Sequence, residues 1–164
     1  MYQYQPDDVD RQLIRLLQRD GRASNVDMAR QVGLTEGAVR RRVERLLDSG
    51  VVHVAAIAEP ARLGYPTHTL IHLEVDMGEL DRVIEHVVHM PEVCSVHYVT
   101  GEYDLVIEAV FTHADELLRF LADRLGHIDG IRKSSTSHIL RTIKSPADWR
   151  LPHAGSAHIL VVDD

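Results

Sequence analysis

At 164 residues and 45% hydrophobic content, the chain holds one ordinary domain or two small ones. No apolar run nears the ~18 residues of a membrane span, and no cationic leader precedes an apolar segment, so neither membrane insertion nor secretion is expected. The single cysteine, Cys94, excludes an internal disulfide and fits a reducing cytoplasm, while a net charge of −7 leaves room for a local basic face that attracts phosphates.

The stretch "DDVDRQLIRLLQRDGR" reads as a first helix, started by Asp7 or Asp8, ended by Gly21, and carrying Val9, Leu13, Leu16 and Leu17 as its apolar stripe. "SNVDMARQVGL" reads as a second, since Ser24 and Asp27 have capping-box spacing and Val26, Ala29 and Val32 line one face. Only "GLT" separates it from "EGAVRRRVERLLDSG", a third helix over about Glu36 to Ser49, with Thr35 as its N-cap and Gly50 just past its end. Val39, Val43, Leu46 and Leu47 set the inward stripe of this helix. Gly37, Ala38, Arg41, Arg45 and Asp48 then turn outward, with Arg40 and Arg42 flanking. Two short helices joined by a tight glycine turn, the second of them basic, are the pattern of a DNA-reading helix-turn-helix; the alternative is a small helical bundle with a solvated charged face. Charge partition favours the first. Residues 1–50 carry nine Lys and Arg against eight Asp and Glu, whereas residues 51–164 carry nine against 17, and 16 of the 18 cations are arginine, which forks onto guanine or phosphate.

"VVHVAAIAEPARLGYP" is strand-like and ends in a Pro/Gly bend, as an arm between domains would. From Thr67 the period becomes 2: Ile71, Leu73 and Val75 alternate with Leu70, His72, Glu74 and Asp76. "GELDRVIEHVVHM" follows as a helix with Leu80, Val83, Ile84 and Val87 inward. "EVCSVHYVT" and "YDLVIEAVF" form a hairpin with "GE", Gly101 and Glu102, as a two-residue turn. "THADELLRFLADRLG" is a helix capped by Thr112, with Asp115 at the box position and Leu117, Leu118, Leu121 and Leu125 in its stripe. "GIRKSSTSHILRTIK" closes as a long strand. The order β-α-β-β-α-β is that of ferredoxin-like folds. Both helices cover one face of such a sheet, and apolar residues of the other face, Leu70, Val106, Val110 and Leu140, suggest a homodimer packed sheet to sheet about a two-fold axis.

Catalytic signatures are missing: no triad spacing, no P-loop and no G-x-G-x-x-G occur, and Cys94 between Val93 and Val96 reads as a buried structural thiol. Of the eleven histidines, His86 and His89 are i, i+3 on a helix and His68 and His72 share a strand, but no cysteine or carboxylate completes a ligand set, so no metal and no cofactor is expected.

The segments "DDVDRQLIRLLQRDGRASNVDMARQVGLTEGAVRRRVERLLDSGVV", "PEVCSVHYVTGEYDLVIEAV" and "SSTSHILRTIK", in this order and spacing, resemble the Lrp/AsnC family of prokaryotic transcription regulators. The resemblance implies an α+β architecture: an N-terminal helix-turn-helix (winged-helix-like) domain over 1–52, a β-arm over 53–66, a ferredoxin-like βαββαβ effector-binding and oligomerisation domain over 67–145, and a tail over 146–164. Two departures stand out: a glycine within the recognition helix, and the tail "SPADWRLPHAGSAHILVVDD", which has no family counterpart and could add an edge strand through "AHILVV" or simply trail. The implied function is a cytoplasmic, sequence-specific regulator of double-stranded DNA that answers to an amino acid or similar metabolite. Its DNA-binding candidates are Thr35, Gly37, Ala38, Arg40, Arg41, Arg42 and Arg45, with Arg41 reading a base and the other arginines on phosphates. For the effector, Gly101 frees backbone N–H groups that suit a carboxylate, and Glu102 and Asp104 suit an ammonium; by themselves these residues are as well explained as a plain turn. The resemblance selects the site, Thr100, Gly101, Glu102, Tyr103 and Asp104 with Ser135, Thr136 and Ser137, because related regulators bind amino acids at this hairpin, where dimers assemble to an octamer. A siroheme-decarboxylase-like enzyme shares the architecture. Those enzymes carry an arginine pair before the hairpin and a Trp-x-Tyr-Asn run in it, and "SVHYVTGEYDL" has neither arginine nor tryptophan.

Overall fold

A computed structural model describes residues 4–152 as two compact units, residues 4–57 with 144–152, and Ala58–Ile143. The "AHILVV" run of the tail lies outside the described residues.

The first unit is built on three helices, α1 (Asp8–Arg19), α2 (Asn25–Val32) and α3 (Glu36–Asp48). Each begins on a side chain that satisfies an orphan backbone N–H. Asp7 accepts from the Asp10 amide at 2.8 Å, Ser24 from Asp27 at 3.1 Å, and Thr35 from Ala38 at 3.3 Å. Gly33 ends α2 at φ 69°, a conformation that only glycine adopts without strain, and this turns the chain directly into α3. Leu13, Ile14, Leu16, Leu17, Met28, Ala29, Val39 and Leu46 form the core. Two residues expected inside are not: Val26 and Leu47 are 42% and 39% exposed, because Met28 and Leu46 fill the space between helices that they would have taken. The tail contributes to this unit. Leu151 packs on the core, its amide donates to the Gln18 side chain at 2.8 Å, and Arg15 donates to the Pro152 carbonyl at 3.1 Å.

Residues expected to form a β-arm, 53–66, make no strand; a 3-10 turn over Pro60–Leu63 closes on Gly64. The second unit then follows the order β1 (Thr67–Val75), α4 (Leu80–Val88), β2 (Val93–Tyr98), β3 (Leu105–Phe111), α5 (Ala114–Arg119) and β4 (Ile131–His138). The strands pair antiparallel in the order β2-β3-β1-β4. Ile71 and Leu73 of β1 oppose Ile107 and Leu105 of β3, and with Val75, Phe111 and Val83 and Val87 of α4 they form the core.

Three local features depart from the sequence pattern. The cap of α5 is His113, whose Nδ1 accepts from the Glu116 amide, while Thr112 donates backbone and hydroxyl to the Glu116 carboxylate at 2.7 Å. Beyond Arg119 the helix widens into a π turn, Phe120–Arg124. Leu117, Leu121 and Leu125 pack on the core, whereas Leu118, one position round the helix, is 62% exposed; Phe120 is buried edge-on against Phe111, 5.1 Å between centroids. Finally, β4 stops at His138, because β1 starts at Thr67 and offers its last rung to Ile139; Leu140 and Ile143 are consequently exposed.

The uncovered sheet face is less apolar than expected. Leu70 and Val106 are half-buried and Val110 is buried, but Glu108 sits among them, hydrogen-bonded to His68 at 2.6 Å and accepting from Ser95 at 3.2 Å. Cys94, expected to be buried, is exposed at the bulge of β2. Partial desolvation, with the Glu108 charge second, pushes its thiol pKa up, away from nucleophilic use.

Candidate functional sites

The four arginines of α3 divide by what holds them. Arg42 is half-buried and turned toward α1, donating to Asp7 at 2.7 Å and to Asp10 at 2.8 Å. The Asp10 carboxylate is almost inaccessible, 1% exposed, and also accepts from the Asp7 amide and the Tyr4 hydroxyl. This departs from the expectation that Arg42 faces phosphate: its Nη1 serves two carboxylates of the domain itself. Arg45 is exposed with its guanidinium 5.7 Å from the centre of the Tyr4 ring. Arg41 is exposed, its Nε donating back to the Gly37 carbonyl at 3.3 Å, and Arg40 is exposed on the flank. Thr35 is exposed but its hydroxyl serves the cap; Gly37 and Ala38 are half-buried in the first turn. Tyr4 and Asp10 were missed from sequence. Asp10 could have been found, since it lies three residues from Asp7, the capping-box distance.

The second site is the tip of the β2–β3 hairpin. Its connection is six residues, Val99 to Asp104, rather than a two-residue turn, closed by a bond from the Val99 amide to the Asp104 carbonyl at 2.9 Å. Gly101 takes φ 136° with open space around it. The carboxylate of Asp104 is not free. It accepts from the Val75 amide at 2.8 Å, while the Asp104 amide donates to Leu73, so this residue fastens the tip to the end of β1.

Glu102 instead meets Lys133, 3.1 Å away on β4, and the Lys133 ammonium lies 5.2 Å from the centre of the Tyr103 ring, which in turn tilts against His72 at 5.3 Å. The hydrogen bond from Lys133 holds the Glu102 carboxyl below the usual carboxylate range, and the same bond holds the lysine above its own. Register settles the three β4 candidates. Ser135 lies opposite His72 and Ser137 opposite Leu70, on the face of Lys133, whereas Thr136 lies opposite Ile71 on the helix-covered face and is separated from the tip cluster. Thr100 is exposed at the loop. Lys133 was missed, although alternation along "KSSTS" puts it on the same face as Ser135 and Ser137. His86 and His89 bond back to carbonyls of their own helix, and no cluster of three metal-ligating side chains occurs among the described residues.

Residues 7–47 match the family model of the AsnC-type helix-turn-helix domain, and residues 69–148 that of the Lrp/AsnC ligand binding domain. An uncharacterised HTH-type transcriptional regulator of Pyrococcus abyssi is 36% identical, over 85% of this chain and 89% of the relative. The chain belongs to the Lrp/AsnC family. It is a helix-turn-helix transcriptional regulator with a ligand-binding domain. HTH-type transcriptional regulator FL11 of Pyrococcus furiosus is 32% identical over 87% of this Lrp/AsnC chain and 94% of its own. Among solved structures, the leucine response regulatory protein of Mycobacterium tuberculosis is similar with a TM-score of 0.79 and 30% identity, over 90% of this chain and 100% of that one. A Neisseria meningitidis transcriptional regulator in complex with L-Met gives a TM-score of 0.80 at 28% identity, over 86% and 94%. These relatives lend no support to a siroheme-decarboxylase-like enzyme. No helix among the described residues is long and apolar enough to cross a membrane.

Proposed function

We propose that this regulator works in the cytoplasm as a sequence-specific reader of double-stranded DNA whose assembly answers to a free α-amino acid. A homodimer, joined across the uncovered sheet faces, sets two α3 helices into successive major grooves about 34 Å apart, so the operator is an imperfect palindrome. Arg41 reads a base, Arg40 and Arg45 hold phosphates, and the small Gly37 and Ala38 beside the capping Thr35 let the backbone approach.

The observation that carries the effector half is the Glu102–Lys133 ion pair, an exposed anion and cation 3.1 Å apart beside Gly101. An amino acid presents the complementary pair on one carbon. Its ammonium replaces Lys133 at Glu102, and its carboxylate meets Lys133 and the backbone N–H groups near Gly101, with Thr100, Tyr103 and Ser135 around it. Asp104 shapes this site without touching the ligand, and Thr136 takes no part. The L-Met complex of the Neisseria relative supports an amino-acid effector. Dimers gather through the hairpin tips into an octamer, and the bound amino acid shifts that assembly and with it the spacing of the DNA-reading helices.

Calorimetry with each of the twenty amino acids, repeated on Lys133→Ala, tests the effector. Binding by the parent that is lost in the variant supports the site, and silence of the parent toward all twenty overturns it. Selection of bound genomic fragments tests the DNA half, where anything but half-sites about one helical turn apart counts against it.

A further inference from the structure

We propose that Tyr4 is a positioning residue for DNA binding, holding Arg45 over its ring so that the guanidinium is presented to a phosphate. The inference rests on α3 being the DNA-reading helix. A guanidinium has two kinds of contact surface: a flat face that stacks on aromatic rings, and an edge of N–H donors that forks onto carboxylate or phosphate. Arg42 and Arg45, three residues apart on α3, are held in these two different ways. One terminal nitrogen of Arg42, Nη1, donates to both Asp7 and Asp10. Arg45 forms no ion pair among the described residues; its guanidinium carbon lies over the Tyr4 ring, 5.7 Å from its centre, and its N–H groups approach the Tyr4 hydroxyl.

The ring is itself anchored. Its hydroxyl donates to Asp10, which is 1% exposed and held from a second side by the Asp7 amide at 3.0 Å. Burial, and then the bond to Asp10, keeps the Tyr4 hydroxyl protonated above its ordinary range, so the donor persists at any pH where DNA binding is measured. An arginine free in water must lose the rotamers of a long side chain when it meets a phosphate; stacked on a fixed ring, Arg45 has surrendered part of that freedom beforehand. A residue upstream of the first helix is thereby drawn into the function of the third.

The test is the salt dependence of binding to a random-sequence duplex, which counts phosphate contacts without requiring the operator. Every variant is measured below its melting transition as seen by circular dichroism. Arg45→Ala should flatten the slope of log K against log salt by about 0.9 per protomer. Tyr4→Leu, which removes the ring, should reproduce at least half of that flattening, and Tyr4→Phe, which keeps it, should lose less than half. Combining Tyr4→Leu with Arg45→Ala should flatten the slope no further than Arg45→Ala alone, since both remove one contact. A parent-like slope in Tyr4→Leu, with Arg45→Ala flattened, overturns the role of Tyr4 alone. A parent-like slope in Arg45→Ala overturns both that role and the phosphate reading of Arg45.

Discussion

Replacing Arg42 by alanine separates the two kinds of arginine on α3. In the folded unit, Arg42 is 27% exposed at its side chain and its partner Asp10 is 2% exposed, so the substitution strands a carboxylate with little access to water. Breaking a fully buried pair costs about 3–5 kcal/mol; the partial exposure of Arg42, and the Tyr4 and Asp7 donors that remain on Asp10, bring the expectation to about 2–3 kcal/mol. For a domain of this size, that lowers the melting temperature by about 10–20 °C. Arg40→Ala, at an exposed position, should stay within about 0.5 kcal/mol of the parent.

Circular dichroism melts of the two variants, with salt titrations of DNA binding below the transitions, check both halves of the argument. Arg42→Ala should melt early with a parent-like slope. A variant that melts like the parent but binds DNA with a flattened slope would refute the reasoning and return Arg42 to the DNA face. Acid adds an independent check. The Asp7 carboxyl lies below its ordinary value, first through the Asp10 backbone N–H and then through Arg42. Such a group contributes stability at pH above its unfolded value, near 3.9, and that contribution disappears as pH falls through the lower folded value. The first unit should therefore weaken below about pH 4, and Arg42→Ala should reduce that acid sensitivity without abolishing it, because the backbone contact persists.

Asp104→Ala leaves the buried Val75 amide without its acceptor and should destabilise the second unit by about 1–3 kcal/mol, read as an early melt; unchanged melting would free Asp104 for direct ligand contact. Lys133→Ala should leave melting nearly unchanged yet raise the Glu102 pKa toward the usual carboxylate range, measurable by NMR titration, since the lysine is the first cause of its depression. Gly130→Ala combines φ 96° with a Cβ that would fall 2.4 Å from the Glu79 Cβ, and should cost more than the strain of about 1–3 kcal/mol alone; Gly101→Ala, with open space at its tip, should show the strain alone, and equal melts for the two would contradict the packing described. Truncation after Lys144 removes Leu151 and the backbone held by Gln18 and Arg15, and should speed amide exchange in α1; unaltered exchange would mean that the tail is dispensable to the helix it covers.

What could be read from the sequence was what depends on near neighbours in the chain. Thr35 and Ser24 cap because the N–H groups they accept lie three residues away, and Ile71, Leu73 and Val75 face inward because a strand alternates whatever packs on it. Misplaced residues are those whose environment comes from another element or from a neighbour on the same helix. Leu47 and Leu118 fit the edge of a 3.6-residue stripe, but Leu46 and Leu117 take the inward positions beside them. The functional residues follow the same rule more sharply, because charge repeats at helical spacing without saying which charges are already satisfied. Four arginines look alike in "RRRVER"; only the fold puts Asp7 and Asp10 against one of them and Tyr4 beneath another. In "GEYD" two acids look interchangeable, yet β1 offers its last amide to Asp104 and β4 offers Lys133 to Glu102. On the proposed reading of the effector site, an amino acid at the tip has one carboxylate to bind and one cation to displace. Its affinity should fall with added salt through that single exposed pair, whereas Asp104, satisfied by a backbone donor, should be indifferent to salt.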